Sequence, residues 1–385
     1  MNNLFTHYHE MSKDPLGKAH CLPFPVYHDP SVFHFEEERI FRRDWFFVCT
    51  SQELENPGDY FAFCISGEQI AVIRGQDQQL RAMSNNCRHR GTPLLNAGFG
   101  NTAKLIVCPY HAWSYDLEGS LKGVPFAKED RLDKSRHCLP NFDCEEVFGL
   151  VFVKIDGNDS SMRDRLADLK DYLEIYDTNR FTRALPGTLE RWKANWKLAM
   201  ENAMESYHLF KVHKTTLETV TPSKLAYYVA GSSEWTLTGG KMEDHSSTFG
   251  KWLRGHYPEV FDHYLLISLP PNFVGILTHD SLGWLSVMPI NAVETEIRSG
   301  VLCEPESGSE TSESEAFTDA FFEEDKTICE RVQAGMQSRS TTGGQLVEME
   351  RVVVDFHQYL ASRLFEEAPS EHYENSKQTP FNNQA

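Results

Sequence analysis

Long hydrophobic runs are missing from this 385-residue chain. An apolar stretch of about 18 residues or more, the minimum for a membrane-spanning helix, does not occur, so no membrane partner is expected. Basic residues are scarce: 37 Lys and Arg stand against 56 Asp and Glu, a formal net charge of −19. A field of that sign repels nucleic acid and anionic lipid, so no nucleic acid is expected as a partner either. The first residues, 1–14, are polar and hold no apolar h-region, so no secretory signal is expected. The nine cysteines are odd in number and scattered, which is no disulfide framework and fits a reducing, cytoplasmic setting. A G-x-G-x-x-G fingerprint after a strand is missing too, so any nicotinamide or flavin is expected on a separate protein. Internal repeats are absent. What is present is ordinary globular material, 40% hydrophobic, 12% aromatic and 24% charged, at a length that suggests about two domains.

Patterning divides the chain in three. Residues 1–40 read as an irregular leading segment that ends in a short helix over 30–43. Residues 41–156 carry short Val-, Ile- and Phe-rich runs at 45–49, 60–65, 70–74, 105–108 and 150–154, separated by Gly, Asn, Asp and Pro, which predicts a small all-β domain. Residues 157–385 mix helical periodicity, at 162–175 and 191–208, with strand-like runs at 264–268, 273–277, 282–289 and 295–302. The acidic, Ser-rich stretch 304–315 reads as an exposed loop. Helices are expected over 318–338 and 344–365, followed by a frayed polar tail over 366–385. The fold class is therefore α+β, a small all-β domain followed by one in which helices lie on an antiparallel sheet.

Two constellations carry chemistry. The first is Cys87-Arg-His89, then 18 residues, then Cys108-Pro-Tyr-His111. Thiolate and imidazole at short spacing, twice, is a metal-ligand pattern, placed where two strands end. A structural zinc ion is one reading, although zinc sites more often pair Cys with Cys at this spacing. A [2Fe–2S] cluster with two Cys on one iron and two His on the other is the second.

The second lies at 195–213. Trp196, Met200, Ala203 and Tyr207 fall on one helical stripe, an ordinary core face, while Glu201, Glu205 and His208 fall on the other side. His208-x4-His213 can converge on one ion only if the helix ends or kinks between them, because five residues overshoot a turn. A third ligand candidate comes from the 318–338 helix. Phe321, Ile328 and Val332 define its buried stripe, with Cys329 and Met336 beside it, and Asp325 sits in the middle. A buried carboxylate needs a cation, so Asp325 either meets an Arg or a backbone cap, or completes a two-His, one-carboxylate triad of the kind that holds Fe(II).

Both motifs resemble those of the Rieske non-heme iron oxygenase α subunits. Cys87-Arg-His89-Arg-Gly and Cys108-Pro-Tyr-His111-Ala-Trp-Ser-Tyr, closed by Leu117-Glu-Gly119, are similar to the Rieske motif of that family. Respiratory Rieske proteins have two further cysteines here, where this chain has Thr92 and Tyr110. Asn195-Trp-Lys, Glu201-Asn-x-x-Glu205-x-Tyr-His208-x4-His213 and the 324–333 segment around Asp325 are similar to the catalytic motifs. The resemblance implies a Rieske cluster on Cys87, His89, Cys108 and His111 and a mononuclear Fe(II) on His208, His213 and Asp325. It implies electrons drawn from NAD(P)H through a separate reductase of flavin or ferredoxin type. It implies a ring of subunits, usually a homotrimer, in which Glu205 bridges His111 of one copy to His208 of the next.

The spacing around Glu205 is similar to the choline, carnitine and glycine-betaine monooxygenase branch, which implies hydroxylation or demethylation of a small quaternary ammonium or N-methylated substrate. An aromatic-ring or aromatic-acid oxygenase is the alternative. Ser206, Leu209 and Lys214 depart from the usual branch residues. A trimethylammonium group favours an aromatic cage, for which Tyr264, Phe273 and Trp284 are strand candidates. Arg88, Arg90, Lys104, Lys122 and Lys128 are candidates for docking an acidic reductase.

Overall fold

The computed structural model describes residues 3–128, 132–157, 160–242, 262–305 and 312–366. The chain separates into two compact units, 37–165 and 1–36 with 166–385, so the leading segment belongs with the second unit. Residues 306–311, half of the expected acidic loop, and nearly all of the expected tail lie outside the described residues.

The first unit has ten strands: β1 Phe46–Thr50, β2 Asp59–Ile65, β3 Glu68–Arg74, β4 Leu80–Ser84, β5 Gly98–Asn101, β6 Ile106–Val107, β7 Ser114–Tyr115, β8 Leu121–Gly123, β9 Asn141–Val147 and β10 Leu150–Lys154. They form a seven-stranded sheet in the order β1-β10-β9-β4-β3-β2-β5 and a small sheet β6-β7-β8. β1 and β10 are apolar runs that close on Thr50 and Lys154, and every residue in both is buried. β2 alternates, whereas residues 70–73 of β3 are buried throughout, and Tyr60, Ala62, Ala71 and Ile73 enter one core with Ile106, Trp113, Tyr115 and Leu121. Cys87 and Cys108 are part of that core.

The second unit is built on one antiparallel sheet: β11 Arg183–Trp192, β12 Ala226–Gly231, β13 Thr236–Lys241, β14 His263–Leu269, β15 Phe273–Leu277, β16 Ser281–Asn291 and β17 Glu294–Cys303. The order is β11-β17-β16-β15-β14-β13-β12. The helix Trp196–Met204 lies against β14 to β17, and the helix Arg351–Phe365 against β12, β13 and the helix Asn3–Ser12. This is the expected α+β class, with four strand runs at their expected places.

Several local readings change. The 191–208 helix is shorter, because Arg191 and Trp192 end β11, and Asn195 caps the helix by accepting from the Lys197 amide. It stops at Met204, so Tyr207 leaves the core stripe and is 39% exposed. The 162–175 pattern yields two single-turn helices, Met162–Arg165 and Lys170–Leu173, rather than one. The long helix Ser312–Gly335 starts earlier than expected. Its buried stripe is rotated to Phe322, Asp325, Cys329, Gln333 and Met336, leaving Val332 exposed.

The leading segment is held by a buried charge. Glu36 and Lys197 both have 0% side-chain exposure, and the Lys197 Nζ donates to Glu36 Oε1 at 2.6 Å. Trp196 Nε1 donates to the other oxygen at 2.8 Å, and the Tyr8 hydroxyl lies 3.3 Å from the first. Both carboxylate oxygens thus have a donor, which helps a buried pair to be tolerated. Replacing Glu36 by Leu strands the Lys197 ammonium. The variant is expected to lose about 3–5 kcal/mol in urea unfolding, and the double variant Glu36→Leu/Lys197→Met to recover most of it.

Candidate metal centres

Cys87 and Cys108 start two loops with the same backbone frame. The Cys87 amide donates to the Thr92 carbonyl and the Gly91 amide back to the Cys87 carbonyl, each at 2.9 Å. The Cys108 amide donates to the Trp113 carbonyl at 2.8 Å and the Ala112 amide to the Cys108 carbonyl at 3.0 Å. In both loops the fourth residue after Cys is left-handed, Gly91 at φ 73° and Ala112 at φ 56°. The first loop meets this with glycine, while the second bears the cost of a Cβ there.

The frame buries the sulfurs and exposes the imidazoles. Both cysteines are 3% exposed, whereas His89 and His111 are exposed. The two rings face edge to face-on at 4.7 Å between centroids, and His89 stacks on Trp113 at 4.9 Å. The Tyr115 hydroxyl sits 3.4 Å from Cys87 Sγ and accepts from the Arg88 amide at 3.0 Å. Since the amide occupies its acceptor side, its proton is free to point at the sulfur. This donor set, buried thiolates on one side and outward imidazoles on the other, fits a two-iron group with unlike ends. Among the charged candidates, Arg88, Arg90, Lys104 and Lys128 are exposed, while Lys122 is paired with Asp116 at 2.7 Å.

The second centre arises where the helix Trp196–Met204 ends. Glu205 is extended, at φ −119° and ψ 162°, and its carboxylate turns back to accept from the Tyr207 and His208 amides. The same carboxylate accepts from His208 Nδ1 at 2.5 Å. A short helix, Leu209–Val212, then carries the chain to His213, which is fully buried. The break expected between the two histidines falls instead before His208, and the histidines flank the single helical turn Leu209–Val212.

His213 Nδ1 donates to Glu324 Oε2 at 2.8 Å, and the Thr216 hydroxyl donates to the same oxygen at 2.6 Å. Each histidine therefore spends its Nδ1 proton on a carboxylate, which leaves the Nε2 lone pair of a neutral ring facing inward. Those nitrogens are 3.1 Å apart, and lie 3.5 and 2.9 Å from Asp325 Oδ1. The three groups lie within 4.8 Å of one another. Three lone pairs turned toward one point repel unless a cation sits among them, so the donor set fits a divalent ion. Protons are the substitute without one: burial works against a charged His208, but Asp325 and Glu205 outweigh it and push its pKa up to about 10.

Two groups have no counterpart among the expected site residues. Asn202 Nδ2 donates to Asp325 Oδ1 at 2.7 Å, and Glu324 orients His213. Asn202 lies one residue past Glu201 on the motif helix, and Glu324 directly precedes Asp325, so adjacency was the available signal. The aromatic cage is not assembled. Leu282, Trp284 and Ser286 share a face of β16, and Phe273 pairs with Ser286. Leu265 aligns with that face through Leu277, so its neighbour Tyr264 faces the other way. Trp284 already holds a cation, the Arg298 guanidinium 4.7 Å from its ring, and a Cβ on Gly300 would come within 2.4 Å of it.

Comparison with known proteins follows the same division. A family model described as the Rieske [2Fe-2S] domain matches residues 44–143, and one described as the ring hydroxylating alpha subunit (catalytic domain) matches 169–366. The carnitine monooxygenase oxygenase subunit of Acinetobacter baumannii is 30% identical over 339 residues, 84% of this chain and 87% of that one. The glycine betaine monooxygenase oxygenase subunit of Chromohalobacter salexigens is 35% identical over 201 residues, 52% of this chain and 45% of that one. The solved structure of the quaternary ammonium Rieske monooxygenase CntA in complex with substrate L-carnitine has a TM-score of 0.77 at 25% identity, covering 92% of this chain and 98% of that one.

Two measurements check the chemistry of these centres. Because an ion must displace the protons that His208 otherwise holds, Fe(II) affinity is expected to fall about tenfold per displaced proton for each pH unit between 8 and 6, measured with a competing chelator. Tyr115→Phe removes the hydroxyl beside Cys87 Sγ. Loss of about 1 kcal/mol of hydrogen bond to the reduced form is expected to lower the cluster midpoint by roughly 40 mV in an EPR-monitored redox titration.

Proposed function

The chain belongs to the family of Rieske-type ring-hydroxylating oxygenase α subunits, and from that premise we propose that it hydroxylates a small quaternary ammonium or N-methylated compound at a carbon next to nitrogen. Such a subunit is the terminal oxygenase, fed with electrons from NAD(P)H by a separate reductase. When bound, its [2Fe–2S] cluster and mononuclear iron supply the stored electron and the activation of O2.

The chain's own residues take distinct parts. Cys87 and Cys108 hold the buried end of the cluster, and His89 and His111 the end nearest solvent. His208, His213 and Asp325 hold the mononuclear ion, with Glu205 and Glu324 keeping the two Nε2 atoms unprotonated and Asn202 steadying Asp325. The observation that carries this part is the convergence of three lone-pair donors whose other hydrogen bonds are already spent. Glu205 joins His208 to the partner subunit's His111 in a homotrimer, a reading supported by its hydrogen bond to His208 Nδ1 within this chain. The reductase docks on the basic face of the cluster loops. Residues 85–115 hold Arg88, Arg90 and Lys104 without one acidic residue, in a chain of 56.

The substrate class rests on the similarity to carnitine monooxygenase, which extends over both domains. Hydroxylation beside a quaternary nitrogen is followed by breakage of the C–N bond. The electron pair leaves on nitrogen, the hydroxyl proton is lost, and an amine and an aldehyde result.

Iron-replete protein is expected to hold about three iron and two acid-labile sulfide per chain, and zinc-loaded, colourless protein would overturn the cluster reading. With nitric oxide as an O2 surrogate, a quaternary ammonium compound from a panel of betaines, carnitine and choline is expected to reshape the iron–nitrosyl EPR signal. A response to benzoates or phenols alone would move the substrate class to aromatic acids.

A further inference from the structure

Behind the helix Trp196–Met204 lies a cavity of about 200 Å³. Three carboxylates line it, Glu201, Glu205 and Glu350, and its walls hold neither Lys nor Arg. The thiols of Cys21 and Cys329 line it as well, and so does His357, which is 1% exposed. Its Nε2 meets Glu201 Oε1 at 3.1 Å, while its Nδ1 is buried without a hydrogen-bond partner. The rest of the lining is mostly apolar, with Leu198, Ile328, Val332 and Val353, so a water in the cavity has the carboxylates and His357 as its polar partners. Glu205 is the shared wall: the carboxylate that lines this cavity also accepts from His208.

We propose that Glu201, Glu350 and His357 form a proton store that takes up a proton from bulk water when an electron reaches the neighbouring iron site. The proposal rests on the metal-site reading above. Its chemical basis is the balance of the reaction, in which R–H, O2, two electrons and two protons become R–OH and water. Each electron brings one negative charge next to a wall that already carries three carboxylates, and a proton on that wall is the nearest compensation.

The groups facing the store support uptake rather than permanent charge. Glu201 accepts from the Tyr27 hydroxyl at 2.8 Å on the leading segment, meets His357 on the C-terminal helix, and has Lys197 one turn back on its own helix, where Glu36 already pairs with it. Tyr8, Cys21 and Cys329 complete its surroundings, all neutral because burial raises them. Glu350 accepts from the Val347 amide, yet burial, joined by the charges of Glu205 and Glu201, holds its pKa above the usual carboxylate range.

The test is the pH dependence of the mononuclear iron midpoint, read from the high-spin ferric EPR signal of the iron-loaded holoenzyme without substrate. In the wild type the reduction equilibrium is expected to change roughly tenfold per pH unit between 6 and 8, the mark of one proton per electron. Glu350→Gln and His357→Phe are expected to flatten that slope while keeping iron content, and Glu350→Asp to restore it. A structural role would alter iron content or stability and leave the slope as it was. Iron-replete variants with the wild-type slope would overturn the store. A wild-type chain that binds no iron would overturn the metal-site reading itself.

Discussion

Two imidazoles and a carboxylate turned on one another are the constraint around which the second unit is organised. Left alone, their lone pairs repel, and the fold spends several independent elements to hold them together. Asn195 fixes where the helix begins, Glu205 ends it and anchors His208, and the long helix 312–335 brings Asp325 and Glu324 as neighbours from more than a hundred residues away. The sheet supplies the floor for all of these. Local structure near the centre is legible as service to that convergence: the early helix stop, the exposed Tyr207, the rotated stripe that turns Asp325 inward.

Fixing an anion beside a site that must accept electrons creates an electrostatic problem, and the chain answers it with layers. Glu205 and Glu324 each accept a histidine N–H, while the Glu36–Lys197 pair next door is sealed, with both Glu36 oxygens hydrogen-bonded and aromatic rings beside the ammonium. The sealed pair fixes position, whereas the open cavity beside it stays adjustable. The difference is one of burial and partners, not of residue type, since both are built from glutamate.

The sequence made the chemistry more legible than the geometry. Cys87, His89, Cys108, His111, His208 and His213 stand out by their spacing and Asp325 by its place in an apolar stripe, and strands such as β10 and β15 because their apolar runs are short and sharply bounded. What stayed hidden depended on long-range register. Whether Tyr264 shares a face with Trp284 is decided by how β14, β15 and β16 align, which no local pattern states. On the 312–335 helix Phe321 and Phe322 are equally apolar, and only packing chooses between the two stripes they allow. Helix ends escape the pattern where a single polar residue, Asn195 or Glu205, overrides propensity.

The matching frames of the two cysteine loops bear on what a change at a ligand can do. Each loop is closed by its own pair of main-chain hydrogen bonds and by a left-handed residue, so these bonds use none of the cysteine or histidine side-chain atoms. Shape and ligand set are thus separate: exchanging an imidazole at position 89 or 111 changes what the loop can hold without removing a bond that closes it.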